Sequence, residues 1–84
     1  MKKVQIKYFA SIREAMGCGS EAWDTSATTL GELRQALVAR DARDEHPLGA
    51  GRAVRIALNQ LMCEEDALLT PGCEVAFFPP VTGG

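Results

Sequence analysis

The residues best suited to chemistry lie at the carboxyl end of the chain, in the segment EVAFFPPVTGG from Glu74 to Gly84. A Gly83-Gly84 end has no Cβ atoms, so it fits a slot too narrow for other residue pairs and leaves the terminal carboxylate unshielded. Pro79 and Pro80 favour a stiff, extended chain leading to that end. The segment is either a reactive tail or a frayed terminus, because chain ends are commonly frayed.

The remaining polar residues form no familiar active-site motif. His46, the only histidine, precedes Pro47 in a charged loop and is interpreted as solvated rather than catalytic. The pair Glu64-Glu65 is typical of a solvated turn. Neither a nucleophile–base arrangement nor a phosphate-binding glycine loop appears in the sequence. These observations favour a protein whose reactive group is the chain end itself.

The composition is that of one small folded domain, with 84 residues, 46% of them hydrophobic and 24% charged. The formal net charge is −2 and the basic residues are scattered, so nucleic-acid binding has little support. No apolar run reaches the roughly 18 residues of a membrane span, and MKKVQIKYFA lacks the continuous apolar core of a signal peptide. Cys18, Cys63 and Cys73 show no CxxC spacing, so we expect reduced thiols in a cytoplasmic protein and no metal site.

Two strands and a short helical turn are predicted at the start of the chain. In KKVQIKYF, Val4, Ile6 and Tyr8 alternate with polar residues, which is typical of a strand with one buried face. SIREAMG predicts a short helical turn that ends at Gly17. EAWDTS predicts a shorter edge strand that pairs back on the first strand.

The segment TTLGELRQALVAR predicts the main helix. Thr29 and Glu32 fit a capping box, in which the hydroxyl and the carboxylate each accept a hydrogen bond from a free amide at the helix start. The apolar stripe of this helix consists of Leu30, Leu33 and Leu37. The charged stretch from Asp41 to Arg52 predicts a loop.

Three strands are predicted in the last third of the chain. AVRIALNQLM alternates with period two and bends at Asn59-Gln60, so it forms two strands around a tight turn. Its inward-facing residues are Val54, Ile56 and Leu58. EEDALL predicts an irregular helical turn, and TPGC predicts a type II turn with Gly72 where positive φ is needed. EVAFF is the last strand, and pairing must end at Pro79 because proline has no N–H.

These elements predict an α+β roll in which one helix covers one face of a mostly single-layer sheet. Neighbouring strand residues point to opposite faces, so Phe77 in the core places Phe78 on the uncovered face. Phe9 follows Tyr8 in the same way, and Met62 joins them beyond the turn. Single exposed apolar residues are common, but several together are typical of an interface. We therefore expect a partner surface.

The ending EVAFFPPVTGG, the pair Asn59-Gln60 and the opening YFA…RE around Phe9 and Glu14 resemble the small, sulfur-carrying subunit of molybdopterin synthase over the whole chain. The resemblance implies an α+β, ubiquitin-like β-grasp roll, with a mixed sheet of about five strands packed on one main helix. It also implies a β-grasp domain over residues 1–79 and a flexible Gly-Gly tail over residues 80–84.

The resemblance implies the chemistry as well. An ATP-dependent adenylyltransferase, related to ubiquitin-activating enzymes, joins AMP to the carboxylate of Gly84, and a sulfur donor protein then converts the acyl-adenylate to a thiocarboxylate. Docked in the large catalytic subunit, the thiocarboxylate gives its sulfur to cyclic pyranopterin monophosphate, and two such transfers build the molybdopterin dithiolene. No permanently bound cofactor is implied for the small subunit, since ATP is used by the adenylyltransferase.

In this family's terms, Gly84 bears the sulfur, while Gly83, Thr82 and Val81 thread the tail into the partner. The residues that match the family's apolar docking surface are Phe78, Phe9 and Met62. The implied assembly is a heterotetramer of two small and two large subunits. None of the cysteines matches a functional position of the family.

Two kinds of alternative remain open. A sulfur carrier for thiamine synthesis or tRNA thiolation, or a ubiquitin-like modifier joined to lysines, would use the same fold and the same tail. A binding module with an inert tail would use the apolar surface alone. A chemically modified tail would distinguish the carriers and modifiers from the binding module, whose tail stays unmodified.

Overall fold

The computed structural model describes residues 1–49 and 51–80. Its elements are, in chain order, β1 (Lys2–Tyr8), α1 (Ala10–Met16), β2 (Ser20–Thr25), α2 (Leu30–Asp41), β3 (Arg55–Leu58), β4 (Leu61–Cys63) and β5 (Glu74–Phe78). The strands form one sheet in the order β2-β1-β5-β3-β4. The β1–β5 pair is parallel and the other neighbouring pairs are antiparallel. The mixed five-stranded α+β fold implied by the resemblance is confirmed.

The two ends of the described chain meet in the middle of the sheet. β1 and β5 are neighbours, with Ile6 opposite Val75 and Tyr8 opposite Phe77. Because the pair is parallel, the carboxyl ends of both strands lie at the same edge of the sheet. The chain therefore leaves β5 beside the residue that follows β1, which is Phe9.

The main helix packs on one face of this sheet as its sequence predicts. Its apolar stripe is fully buried, since Leu30, Leu33 and Leu37 are each 0% exposed. Thr29 Oγ1 accepts the Glu32 N–H at 3.2 Å, and Glu32 Oε1 accepts the Thr28 N–H at 2.7 Å. The capping box is confirmed, with the carboxylate reaching one residue further back than the cap itself.

The predicted turns are also confirmed. Gly72 has φ +79°, and the Cys73 N–H donates to Thr70 O at 3.1 Å, as a type II turn requires. Asn59 and Gln60 have φ of 50° and 71°, so the β3–β4 hairpin closes through two left-handed residues. Asparagine accepts this conformation more readily than most residues do.

Three segments differ from their predictions. SIREAMG forms the two-turn helix α1 rather than a short turn, because Ile12 is buried in the core and holds it there. β3 begins at Arg55, after the start of its alternating pattern. EEDALL forms a single turn, in which the Ala67 N–H donates to Glu64 O, and Leu68 then bridges Thr29 beside the main helix.

Candidate docking face and carboxyl-terminal segment

The register of β5 divides the sheet into a covered face and an uncovered one. Val75 and Phe77 are 0% exposed and belong to the hydrophobic core. Ala76 and Phe78 alternate with them and therefore point away from the main helix. We call this second surface the open face; on the neighbouring strands β1, β5, β3 and β4 it contains Lys3, Gln5, Lys7, Glu74, Ala76, Phe78, Arg55, Ala57 and Met62.

An aromatic pair occupies the edge of the open face where β5 ends. The ring centroids of Phe9 and Phe78 are 6.2 Å apart with an interplanar angle of 84°, an edge-to-face contact. The Phe9 N–H donates to Phe77 O at 3.1 Å, which fixes Phe9 beside the last residues of β5. Phe9 remains 46% exposed. The pair is thus rigidly placed and available to a partner.

Met62 lies on the same face but does not join the aromatic pair. It pairs with Ala57 across β3 and β4, and Ala57 pairs with Ala76 across β3 and β5. Met62 is 52% exposed, whereas each alanine is 7% exposed. The three predicted docking side chains therefore share one face. Between Met62 and Phe78 this face is lower, because Ala57 and Ala76 have small side chains that are nearly buried. Their role in docking stays a prediction.

The charged residues of the open face differ in their partners. Lys7 Nζ lies 3.3 Å from Glu74 Oε1, and both side chains are partly exposed. The Glu74 N–H donates to Asn59 Oδ1 at 2.9 Å, so this pair is tied to the β3–β4 hairpin. Arg55 is exposed and lies directly opposite Phe78. The edge of the open face where β5 ends therefore consists of the apolar Phe9 and Phe78 with the cationic Arg55 beside them.

The chain leaves the sheet directly after the aromatic pair. β5 ends at Phe78, and Pro79 and Pro80 follow as half-buried residues outside the strand ladder. The predicted reactive and threading residues, Val81, Thr82, Gly83 and Gly84, lie outside the described residues. The described chain therefore leads from Phe78, at the edge of the open face, through Pro79 to Pro80.

The interpretation of His46 as a solvated residue of the charged loop is wrong, because the residue is buried, with only 3% of its surface exposed. Its Nε2 lies 2.7 Å from Asp41 Oδ2, and its Nδ1 accepts the Leu48 N–H at 3.0 Å. An accepting Nδ1 assigns the proton to Nε2, which donates to Asp41. The ring thus joins the end of α2 to the buried Leu48. Its role is structural, and the flanking charges gave no indication of it.

Arg34 is a second residue whose role the sequence did not indicate. Its Nε donates to Leu48 O at 2.6 Å, and its Nη2 donates to Gly49 O at 3.0 Å and to Arg52 O at 2.8 Å. Its Nη1 lies 3.3 Å from Glu65 Oε2. One guanidinium therefore satisfies three backbone carbonyls of the loop before β3. Only the folded chain brings these acceptors together.

A polar network on the covered side of the sheet links β1, β2 and α2. Tyr8 Oη donates to Glu21 Oε2 at 2.7 Å, and Arg40 donates to both carboxylate oxygens of Glu21 and to Asp41. Burial raises the pKa of Tyr8, and the hydrogen bond to Glu21 raises it further. Burial works against ionisation of Glu21, but hydrogen bonds from Arg40 and Tyr8 outweigh it and lower its pKa. The hydrogen bond from Arg40 likewise lowers the pKa of Asp41, against a smaller effect of burial.

The cysteines show no sign of a shared site. Cys18 is exposed, Cys63 is half-buried and Cys73 is buried, and all three are free thiols. Within residues 1–49 and 51–80, no group of three His, Cys, Asp or Glu side chains is placed to hold a metal ion. In that same part of the chain, no helix has the length and apolar character needed to cross a membrane.

Comparison with known proteins places this chain among proteins of the same fold and length. Residues 6–84 match the ThiS family. The molybdopterin synthase sulfur carrier subunit of Escherichia coli (strain K12) is 38% identical over 81 residues, which cover 96% of this chain and 99% of that protein. The crystal structure of SAMP1 from Haloferax volcanii aligns with a TM-score of 0.74 and 26% identity, covering 98% of this chain and 99% of that one.

A solved complex is also similar. In the complex of subunits 1 and 2 of the molybdopterin-converting factor from Helicobacter pylori 26695, one chain aligns with a TM-score of 0.65 and 25% identity. The alignment covers 98% of this chain and 99% of that chain. The family match spans β1 to the last residue of the sequence, and the E. coli relative matches over nearly its full length. This chain therefore belongs to the ThiS family and is a relative of the sulfur carrier subunits of molybdopterin synthase.

Proposed function

We propose that this chain is the sulfur carrier subunit of a molybdopterin synthase and that the carboxyl group of Gly84 carries the sulfur. The observation that carries the proposal is the position of Phe78, which ends β5 on the open face in contact with Phe9, two residues before the tail of residues 80–84 begins. The 38% identity to the E. coli sulfur carrier subunit over almost all of both chains supports the same function.

The free-energy cost of ordering the tail favours a mechanism in which the tail and the docking face bind the same partner. Ordering each backbone residue costs about 1–2 kcal/mol, so a five-residue tail costs about 5–10 kcal/mol to fix in a partner's slot. Burying one Phe or Met side chain returns about 1.5–3 kcal/mol. The open face offers Phe9, Phe78 and Met62 for this purpose, so docking of the face offsets much of the cost of ordering the tail.

The proposed reaction begins with activation of the carboxylate. An oxygen of the Gly84 carboxylate attacks the α-phosphorus of ATP on a partner adenylyltransferase, which forms the acyl-adenylate and releases pyrophosphate. Hydrosulfide delivered by a sulfur donor protein attacks the acyl carbon and expels AMP, leaving a thiocarboxylate and releasing a proton. Like a thiolate, this anionic group is a soft nucleophile. It transfers sulfur to cyclic pyranopterin monophosphate in the large catalytic subunit, within a heterotetramer of two small and two large subunits.

This mechanism assigns little chemistry to the folded body. The described side chains hold the strand end and the aromatic pair in place, while the partner enzymes supply ATP and the catalytic groups. Gly83, Thr82 and Val81 would form the stalk that reaches the partner's active site. The subunit is then a reagent that the synthase consumes and that the adenylyltransferase regenerates.

Intact-protein mass spectrometry tests the proposal directly. The purified protein is incubated with its adenylyltransferase, ATP and a sulfur donor, with the E. coli relative as a positive control. We expect a mass gain equal to the replacement of one oxygen by sulfur, located on the carboxyl-terminal peptide. An unchanged mass, under conditions that convert the E. coli protein, would refute the sulfur carrier function and favour a binding module with an inert tail.

A second candidate function is protein modification, which the likeness to SAMP1, a small archaeal modifier protein, favours. The same acyl-adenylate would then be captured by a lysine amine of a target protein. Amide-linked conjugates, and no thiocarboxylate, would support this function. The higher identity to the E. coli sulfur carrier subunit makes sulfur transfer the better-supported proposal.

A further inference from the structure

Arg55 differs from Lys7, Arg34 and Arg40 because its side chain has no partner among the described residues. Among the described residues, Arg55 forms neither a side-chain hydrogen bond nor an ion pair, whereas Lys7 pairs with Glu74, and Arg34 and Arg40 are each held by several acceptors. Arg55 is exposed on the open face. Its guanidinium is therefore available to a group outside the described residues.

The register places Arg55 inside the proposed docking area. It is the direct cross-strand neighbour of Phe78, and side chains in such pairs are close enough to touch. It also lines a shallow pocket of about 320 Å³ together with Met62. A partner that covers both Phe78 and Met62 must therefore cover Arg55 as well.

Covering Arg55 has a consequence for the partner. A guanidinium that loses its water without gaining acceptors is strongly unfavourable, and that penalty can exceed the gain from neighbouring apolar contacts. Glu64 and Glu65 line the same pocket, but neither forms an ion pair with Arg55, and Glu65 already contacts Arg34. Because none of the described residues pairs with Arg55, we expect the partner to supply the compensating acceptor.

We infer that Arg55 is a specificity-determining residue of the docking face, and that the large catalytic subunit presents an Asp or Glu side chain to it between Phe78 and Met62. The inference rests on the proposed function, since that function supplies the partner. A carboxylate fits because the planar guanidinium can donate two parallel hydrogen bonds to it. A partner with an apolar or basic group at this position would leave a buried cation unpaired, and so would be rejected.

Binding of the purified protein to the large subunit of its own synthase tests this inference. Affinity is measured by calorimetry at low and at physiological salt for the wild type, Arg55→Gln and Arg55→Glu. We expect the dissociation constant to rise about tenfold or more for Arg55→Glu and less for Arg55→Gln, with a weaker salt dependence for the glutamine variant. Charge reversal of the matching carboxylate on the large subunit should restore binding of Arg55→Glu.

Two controls separate this inference from the function on which it rests. Arg43→Glu reverses a surface cation on the loop after α2, outside the open face, and should bind within about twofold of the wild type. Phe78→Ala tests the docking face without changing charge. If Phe78→Ala weakens binding while Arg55→Glu and Arg55→Gln do not, the inference is overturned and the docking face stands. If none of the three variants changes the affinity, both the inference and the docking face are refuted.

Discussion

Phe77 and Phe78 are consecutive in β5, yet their rings belong to two different surfaces of the protein. Phe77 is 0% exposed and stacks on Tyr8, with ring centroids 6.2 Å apart and an interplanar angle of 18°. Phe78 meets the edge of Phe9 on the open face. The period of two along a strand thus separates a residue that stabilises the fold from one that is placed to contact a partner.

The two phenylalanines give a matched pair of variants. Phe77→Ala removes a fully buried aromatic ring and should lower the free energy of unfolding by about 3–5 kcal/mol. Phe78→Ala removes a half-buried ring on the surface and should cost much less, while weakening binding to the large subunit. Urea unfolding and calorimetric binding measure both effects. Equal destabilisation by the two changes would contradict the division between core and docking face.

The length of the tail should matter for activity and not for folding. Deleting Gly84, or adding one alanine after it, would displace the carboxylate that we propose to be reactive from the position in which the partner enzymes would bind it. We expect loss of thiocarboxylate formation with an unchanged urea midpoint, because the tail lies beyond the last strand. The control is Thr82→Ser, which keeps the tail length. Full sulfur transfer by the deletion variant would exclude Gly84 as the carrier.

The network around Arg40 should make stability depend on pH in the acid range. The pKa values of Glu21 and Asp41 are lowered in the folded protein, so the stability they contribute is present above their unfolded values, near pH 4, and is lost as the pH falls through the folded values. Arg40→Met should therefore destabilise the protein at pH 7 by about 1 kcal/mol or less, since the side chains are partly exposed.

The difference between wild type and Arg40→Met should shrink below pH 4, as both carboxylates become protonated. Urea unfolding at several pH values measures it, and Trp23 fluorescence can report the transition because the Trp23 ring packs partly buried against the core. Arg43→Met serves as the control for removing a surface charge. A difference that grows as the pH falls would contradict the assigned sign.

The start of α2 allows a test of the capping box. Thr29→Ala removes the oxygen that accepts the Glu32 N–H, and should cost about 0.5–2 kcal/mol in the free energy of unfolding. Thr29→Ser should retain most of that energy. Thr28→Ala is the matched control, because only the backbone N–H of Thr28 takes part in the cap. A loss of similar size at both threonines would argue against the side-chain cap.

His46 should be necessary for the loop rather than for catalysis. His46→Ala leaves the buried Leu48 N–H without an acceptor, which should cost about 1–3 kcal/mol. Glu45→Ala, at the exposed neighbouring position, should change stability by less than about 0.5 kcal/mol. Sulfur transfer at a temperature where both variants are folded should equal that of the wild type. A large loss of activity in folded His46→Ala would indicate a role beyond the loop.

The residues of the core and the positions of the turns followed from the sequence alone. Alternation placed Val4, Ile6 and Tyr8 inside, and each is at most 1% exposed. The capping box marked the start of α2, and Gly72 marked the turn before β5. These features depend on residues close together in the chain, and backbone geometry alone determines their periods and turn types.

Other features were decided only by the tertiary structure. The central β1–β5 pair joins the two ends of the chain, and this pairing makes Phe9 and Phe78 neighbours. The burial of His46 and the three carbonyls bound by Arg34 likewise depend on a loop that folds back onto α2. These contacts join residues that are far apart in the chain, and bringing such residues together costs loop-closure entropy. The completed core offsets this cost, so a pattern of neighbouring residues does not specify the contacts. The sequence therefore determined the buried residues of the regular strands and of α2 and the positions of the turns, whereas the fold decided the burial of the loop before β3 and which residues meet.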